Sequence, residues 1–206
     1  MTHSLHRRGT EENLSNDYIV FAIAAQGINA DGASAKFARF AEVVEKYEPV
    51  SFGDMKTGNV FSVGMEEIKK NFKDNSIVHA VFTDPDVVAE VLKELKEIDL
   101  GLSIVVSGLL EPVDRCCRQA GTPRHTVEHS LGIWGRTETL PGEKVLEVST
   151  MCGHGMVAFG LVEEMVDRIK AGTTTPKEAA LELARQCHCG IFNPVRAEKL
   201  LASMGK

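Results

Sequence analysis

Hydrophobic and polar positions follow two rhythms along the chain. Residues 17–25, DYIVFAIAA, form an almost unbroken apolar run rich in β-branched and aromatic residues. Such a run predicts a buried strand. A glycine-containing loop follows, and residues 35–47 then place Phe37, Phe40, Ala41, Val44 and Tyr47 at helical intervals until Pro49 stops the pattern. Residues 50–55 alternate as a short second strand, and 56–62 read as a turn. A brief helix is expected over 65–72, followed by a third strand, SIVHAVF, at 76–82. The next segment, TDPDVVAEVLKELKEID, carries strong helix signals: Thr83 or Asp84 as cap, Pro85 at the first helical position and acids early. Residues 100–110, LGLSIVVSGLL, supply a fourth strand.

The resulting order, β-α-β-(α)-β-α-β, predicts an α+β fold with a ferredoxin-like βαββαβ arrangement over residues 17–112. Residues 1–16 form a polar N-terminal tail, expected to be disordered or draped on the surface. Residues 113–206 read as mainly helical, with at least one extra strand. Helices are expected from 111 to Gly121, from Thr122 and Pro123 onward, from the glycine-bearing turn that opens residues 150–172 up to Gly172, and after the Thr175-Pro176 and Asn193-Pro194 starts. The alternating stretch EKVLEVS at 143–149 predicts the strand. No flexible linker separates the halves at 111–117, so they are expected to pack as one unit. Neither an internal repeat nor a low-complexity segment stands out.

Composition narrows the function. Apolar content of 43% and charged content of 25% suit a soluble globular chain. The 29 acidic and 23 basic residues leave a net charge of −6, which argues against nonspecific nucleic-acid binding. No apolar run reaches the roughly 18 residues of a membrane span. The N-terminus lacks the apolar segment of a secretory signal, so the expected location is cytoplasmic, with no membrane partner.

Cysteine and histidine placement changes the picture most. The five cysteines are Cys116, Cys117, Cys152, Cys187 and Cys189, and four of the seven histidines, His125, His129, His154 and His188, lie in the same half. In a reducing compartment such cysteines are packing residues, metal ligands or reactive thiols. Three groups carry candidate chemistry. The first is His125-x-x-Glu128-His129. On a helix its imidazoles lie one turn apart on one face and can share a metal, with Glu128 placed to move protons at a metal-bound water. The spacing H-x-x-E-H occurs in zinc peptidases, but the remainder of such an enzyme is absent. Over residues 125–132, HTVEHSLG, the chain resembles the H-T-x-E-H helices of S-ribosylhomocysteine lyase and of the zinc deacetylase of lipid A synthesis. The lyase resemblance implies His125 and His129 as metal ligands, with a later cysteine as third ligand.

The second group is Cys152-Gly153-His154-Gly155, expected where a strand meets a helix. There the helix N-terminus would favour a Cys152 thiolate, and Gly153 and Gly155 would allow close backbone approach or an anion-binding turn. The third is Cys187-His188-Cys189. In an extended segment its two thiols point one way and His188 the other. Two thiolates on one side suit zinc or an iron–sulfur cluster. Arg196, near the Asn193-Pro194 helix start, is a candidate anion binder. The vicinal pair Cys116-Cys117 diverges on a helix and does not easily share a metal. His79, inside a predicted strand, reads as a core histidine.

These donors allow three closures. His125, His129 and Cys152 (or His154) with an open fourth position would form a catalytic zinc site. Cys152, Cys187 and Cys189 with a histidine would form a closed structural site. Three or four cysteines could instead hold a cluster. The leading expectation is a zinc-dependent enzyme of hydrolase or lyase type, acting on a small molecule through Glu128 and Cys152. The alternatives are an iron–sulfur or thiol redox protein, and a non-catalytic small-molecule-binding or regulatory module that pairs into a homodimer.

Overall fold

A computed structural model describes residues 4–205. Five strands form one sheet: β1 (Tyr18–Ile23), β2 (Ser51–Asp54), β3 (Gly58–Asn59), β4 (Ile77–Phe82) and β5 (Ser103–Ser107). Their order is β3-β2-β4-β1-β5, and each adjacent pair is antiparallel. The fold is therefore α+β. β1 lies between β4 and β5, with Phe21 opposite His79 on one side and Val105 on the other.

The period of two divides β1 between two cores. Tyr18, Val20 and Ala22 face one side, where α2 (Ala33–Glu45) and α4 (Pro85–Ile98) contribute Phe37, Phe40, Val44, Val88 and Leu92. Ile19 and Phe21 face the other side, covered by α6 (Glu143–Ser149), α7 (Phe159–Lys170), α8 (Pro176–Gln186) and α9 (Pro194–Met204). Both faces are buried, which explains why the β1 sequence is apolar without a break. The layers are helices, sheet and helices.

Side-chain caps fix the starts of α4, α8 and α9. The Asp84 side chain accepts from Asp86 N–H, and Pro85 opens α4. Thr175 and Glu178 form a reciprocal capping box before Pro176. Asn193 caps α9, accepting from Arg196 N–H. α3 (Met65–Lys70) and α5 (Leu110–Gln119) fall where helices were expected.

Two segments depart from the sequence reading. Residues 143–149 are helix, not strand: among the described residues no strand pairs with them, and the helix buries Leu146, Val148 and Ser149. Residues 122–134 form no helix. Val127, Leu131, Ile133 and Trp134 are exposed, so no apolar face is buried to pay for a short helix. Gly132 and Gly135 both take φ of +93°, closing that stretch outside helical geometry. From residue 4 the polar N-terminal segment packs on the body, one of the two states expected of it. It contains α1 (Glu11–Leu14), capped by Thr10, and sends Arg7 and Arg8 to the C-terminal half.

A buried thiol cluster as candidate functional site

Two connections bring three cysteines to one place beneath the sheet. The first leaves α6. Cys152 N–H donates to Ser149 O (3.0 Å) and Gly155 N–H to Cys152 O (3.0 Å), so the chain reverses well before α7 starts at Phe159. Cys152 thus follows a helix C-terminus, and the expected assistance from a helix N-terminus does not apply. Gly155 takes φ of +71°, but a Cβ there would meet open space, so the glycine serves the turn and not a close approach. Gly153 is exposed.

The second connection joins α8 to α9. Cys187 caps α8, and Gly190 N–H donates to Cys187 O (2.9 Å). The resulting turn lies flat on β2. Ser51 Oγ donates to Gly190 O (2.7 Å), and Asn59 Nδ2 donates to Cys187 O (2.9 Å). Glycines face each other at the contact: a Cβ on Gly53 would stand 2.1 Å from Cys189 O, and one on Gly190 would stand 2.5 Å from Phe52 O. A side chain at either position would push the cysteine turn off the sheet.

Cys152, Cys187 and Cys189 are each at most 2% exposed. Cys187 Sγ lies 3.9 Å from Cys189 Sγ, and Cys189 Sγ lies 3.8 Å from His154 Nδ1. The neighbouring Cys187 thiol and burial together hold the Cys152 thiol above its usual range. Cys187 is drawn down by Cys152, but its bond to Cys189 and burial outweigh this and push it up to about 12. Cys189 is shifted the other way: its bond with Cys187 lowers it against burial, and the charge of Arg7 adds to the effect. Among the described residues no group of three or more His, Cys, Asp or Glu side chains is arranged to hold a metal ion. The thiols and imidazole stand as an open row.

The other sequence candidates lie elsewhere. His125, Glu128 and His129 are exposed on the irregular 122–134 segment, and His125 Nδ1 pairs with Thr126 Oγ1 at 2.9 Å. They line a groove of about 1060 Å³ beside β5, and none of Cys152, His154, Cys187 or Cys189 lines it. The pairing of His125 and His129 with Cys152 is therefore not formed. His188 is exposed while its two cysteine neighbours are buried, as the alternation predicts. Cys116 belongs to the core on the opposite face and hydrogen-bonds Pro85 O. Burial, foremost, raises both the Cys116 and the Cys117 thiol.

Arg196 is not available to a ligand. It is 1% exposed and is held by Asp17 (3.0 Å), Asn13 Oδ1 (2.7 Å) and Arg8 O (2.6 Å).

Two further residues lie near the thiols. His79, expected as a core histidine in a strand, is fully buried on β4 and packs edge-on against Phe21 at 5.1 Å. Burial pushes its imidazole down to about 3, against the opposing influence of Asp54. Its placement was legible: alternation puts His79 on the same face as Val81 and opposite Phe21 of β1. Arg7 had no signal, because it sits in a stretch without periodicity. Its guanidinium pairs with Asp17 and donates to Met151 O and Ile191 O.

No protein-family model, curated protein or solved structure matches the chain. The H-T-x-E-H likeness stays confined to the eight residues that carry it, and function must be argued from the site.

Proposed function

We propose that the chain is a metal–thiolate protein that binds one transition-metal ion, zinc by preference, through Cys152, His154, Cys187 and Cys189. The observation that carries this reading is the buried Cys187–Cys189 contact, which ends at the His154 imidazole and has the buried Cys152 thiol beside it. In a tetrahedral zinc site with Zn–S near 2.3 Å, neighbouring sulfurs stand about 3.8 Å apart. The Cys187–Cys189 contact of 3.9 Å matches that edge, and the 3.8 Å from Cys189 Sγ to His154 Nδ1 is a few tenths of an ångström longer than a sulfur–nitrogen edge. Closing the row around an ion requires the Cys152–His154 turn to swing toward the Cys187–Cys189 turn. The second of these is fixed on β2, whereas His154 is exposed and flanked by glycines, so the adjustment falls on the first.

Soft thiolates with one imidazole suit zinc better than magnesium or calcium. An iron–sulfur cluster spreads its thiolates over several irons, and a 3.9 Å sulfur pair suits one ion better. Three thiolates and one imidazole fill four positions, which favours a structural or metal-responsive role over hydrolysis. A thiol redox role is the second reading. It draws on the adjacency of Cys187 and Cys189, but reactive cysteines are usually partly exposed and these are not.

The N-terminal half fits a ferredoxin-like arrangement in this reading. The strand order β2-β4-β1-β5, wholly antiparallel with α2 and α4 on one face, supports it.

Zinc titration of reduced, chelator-treated protein tests the proposal. One equivalent should bind to the wild type and to a His125→Ala/His129→Ala variant. Cys187→Ser and Cys189→Ser should each lose it. Binding that disappears in the histidine double variant but survives in both serine variants would overturn the assignment.

A further inference from the structure

The two edges of the sheet are built differently. At one edge β3 spans only Gly58–Asn59, and such brevity blunts an edge against pairing with another chain. At the other edge β5 has β1 on its inner side, and among the described residues no strand pairs with its outer side. Residues 100–109, LGLSIVVSGL, carry neither a charge nor a proline, the usual devices that keep an edge strand from recruiting a neighbour. The β1 register runs unbroken from Ile19–Ser107 to Ile23–Ser103, so no bulge turns this edge away.

A groove of about 1060 Å³ follows the open edge, lined by β5 and by residues 122–130. It exceeds the roughly 300–1,000 Å³ usual for a small-molecule pocket. The irregular segment leaves Val127, Leu131, Ile133 and Trp134 uncovered, with Leu131 and Trp134 each 83% exposed. Apolar side chains grouped beside an open strand mark a protein-contact surface. The strand edge and the segment up to residue 136 together supply about 20 residues, the low end of the roughly 20–30 a side that a stable interface uses.

The strand itself indicates the occupant. Ser103-Ile104-Val105-Val106-Ser107 reads alike in both directions by residue class. Two copies paired antiparallel about Val105 set Ser103 against Ser107, Ile104 against Val106 and Val105 against its own counterpart. Ile104 and Val106 pack toward the α2/α4 core and Val105 toward the opposite core, so every pair stays on its own face. A shift of two residues either way opposes Val105 to a serine. A shift of one sets each core face against the partner's opposite face. We propose that β5 and residues 122–136 form the contact between two copies of this chain, with a two-fold axis at Val105 that joins two five-stranded sheets into one. The uncovered side chains of residues 127–134 then flank the seam from both copies. The contact is independent of the cysteine site.

Sedimentation velocity of reduced full-length protein over a concentration series tests this contact. The wild type should sediment at twice the chain mass and dissociate on dilution. Ser103 is exposed and Ser107 half-buried, so both positions take longer side chains. Ser103→Lys/Ser107→Lys sets lysine against lysine at both ends of the seam and should raise the dissociation constant about tenfold or more. Ser103→Lys/Ser107→Glu sets each lysine against the partner's glutamate and should return it close to the wild-type value. Within one chain the two positions stand roughly 13 Å apart, so the variants differ little as monomers. A wild type that stays monomeric at every concentration would overturn the proposal. So would a dimer that the double lysine leaves intact, or one that the lysine–glutamate pair fails to restore. If the double-lysine variant does not fold, amide hydrogen exchange of the wild type reads the same contact. The β5 amides should gain protection as concentration rises, and proteolytic cutting between 122 and 136 should slow over the same range. Protection of β5 that does not change with concentration would overturn the proposal as well.

Discussion

At the residue scale, the fit between Gly53 and Gly190 controls whether the thiols meet. Gly53→Ala places a methyl group inside the Cys189 carbonyl contact, and that carbonyl is backbone that cannot rotate away. The expected cost is about 1–3 kcal/mol, as for other overpacked contacts, read as a lower urea midpoint at unchanged slope. Zinc affinity should fall with it, since Cys189 moves. His79 makes a second prediction. Its folded-state pKa is depressed to about 3, so the unfolded chain binds an extra proton as pH drops below the usual histidine value. The stabilisation is complete above roughly pH 6.5 and drains away toward pH 3, by at most about 1.4 kcal/mol per pH unit. Urea unfolding of metal-free protein at pH 7.5, 6 and 5 should show this decline, and His79→Phe should flatten it. The sequence made every donor of the row visible, because Cys152, His154, Cys187 and Cys189 are chemically conspicuous. Which of them meet depends on two turns whose positions are set by contacts to β2 and Arg7. Neither contact leaves a periodic trace.

At the element scale, regular segments with strong local signals came out as read and short ambiguous ones did not. β1, β4 and α4 combine length, periodicity and caps. The stretch at 143–149 alternates like a strand, yet among the described residues no strand pairs with it and it folds as helix. Residues 122–134 look helical because Pro123 and the histidine spacing suggest it, yet nothing covers their apolar side chains. Two outcomes follow. Limited proteolysis should cut first between 122 and 136, where the backbone is exposed and outside the helices and strands. His125→Ala/His129→Ala should leave stability within about 0.5 kcal/mol, since neither ring is buried. Thr175→Ala, in contrast, removes the α8 capping box and should cost about 1 kcal/mol, measured by the same urea titration.

At the scale of the whole molecule, one sheet serves two cores, and the N-terminal segment fastens the second. The helical half covers the face bearing Ile19, Phe21 and Val81, while Arg7, Asp17 and Arg196 tie that half to the start of the chain. Arg196→Met leaves Asp17 with a weaker set of partners in a buried place. Arg7 still pairs with Asp17, so the expected cost is about 1–3 kcal/mol, the range for leaving buried hydrogen-bond partners such as Arg8 O unsatisfied, visible as a fall in melting temperature. The Cys/His site then reads as a device of the assembled molecule: α6 and α8 deliver the cysteines, β2 supports one turn, and the N-terminal segment holds both. X-ray absorption at the zinc edge of loaded wild-type protein examines that assembly in one spectrum. Three sulfurs near about 2.3 Å and one nitrogen near about 2.0–2.1 Å are expected. A shell of nitrogen and oxygen alone would contradict the account.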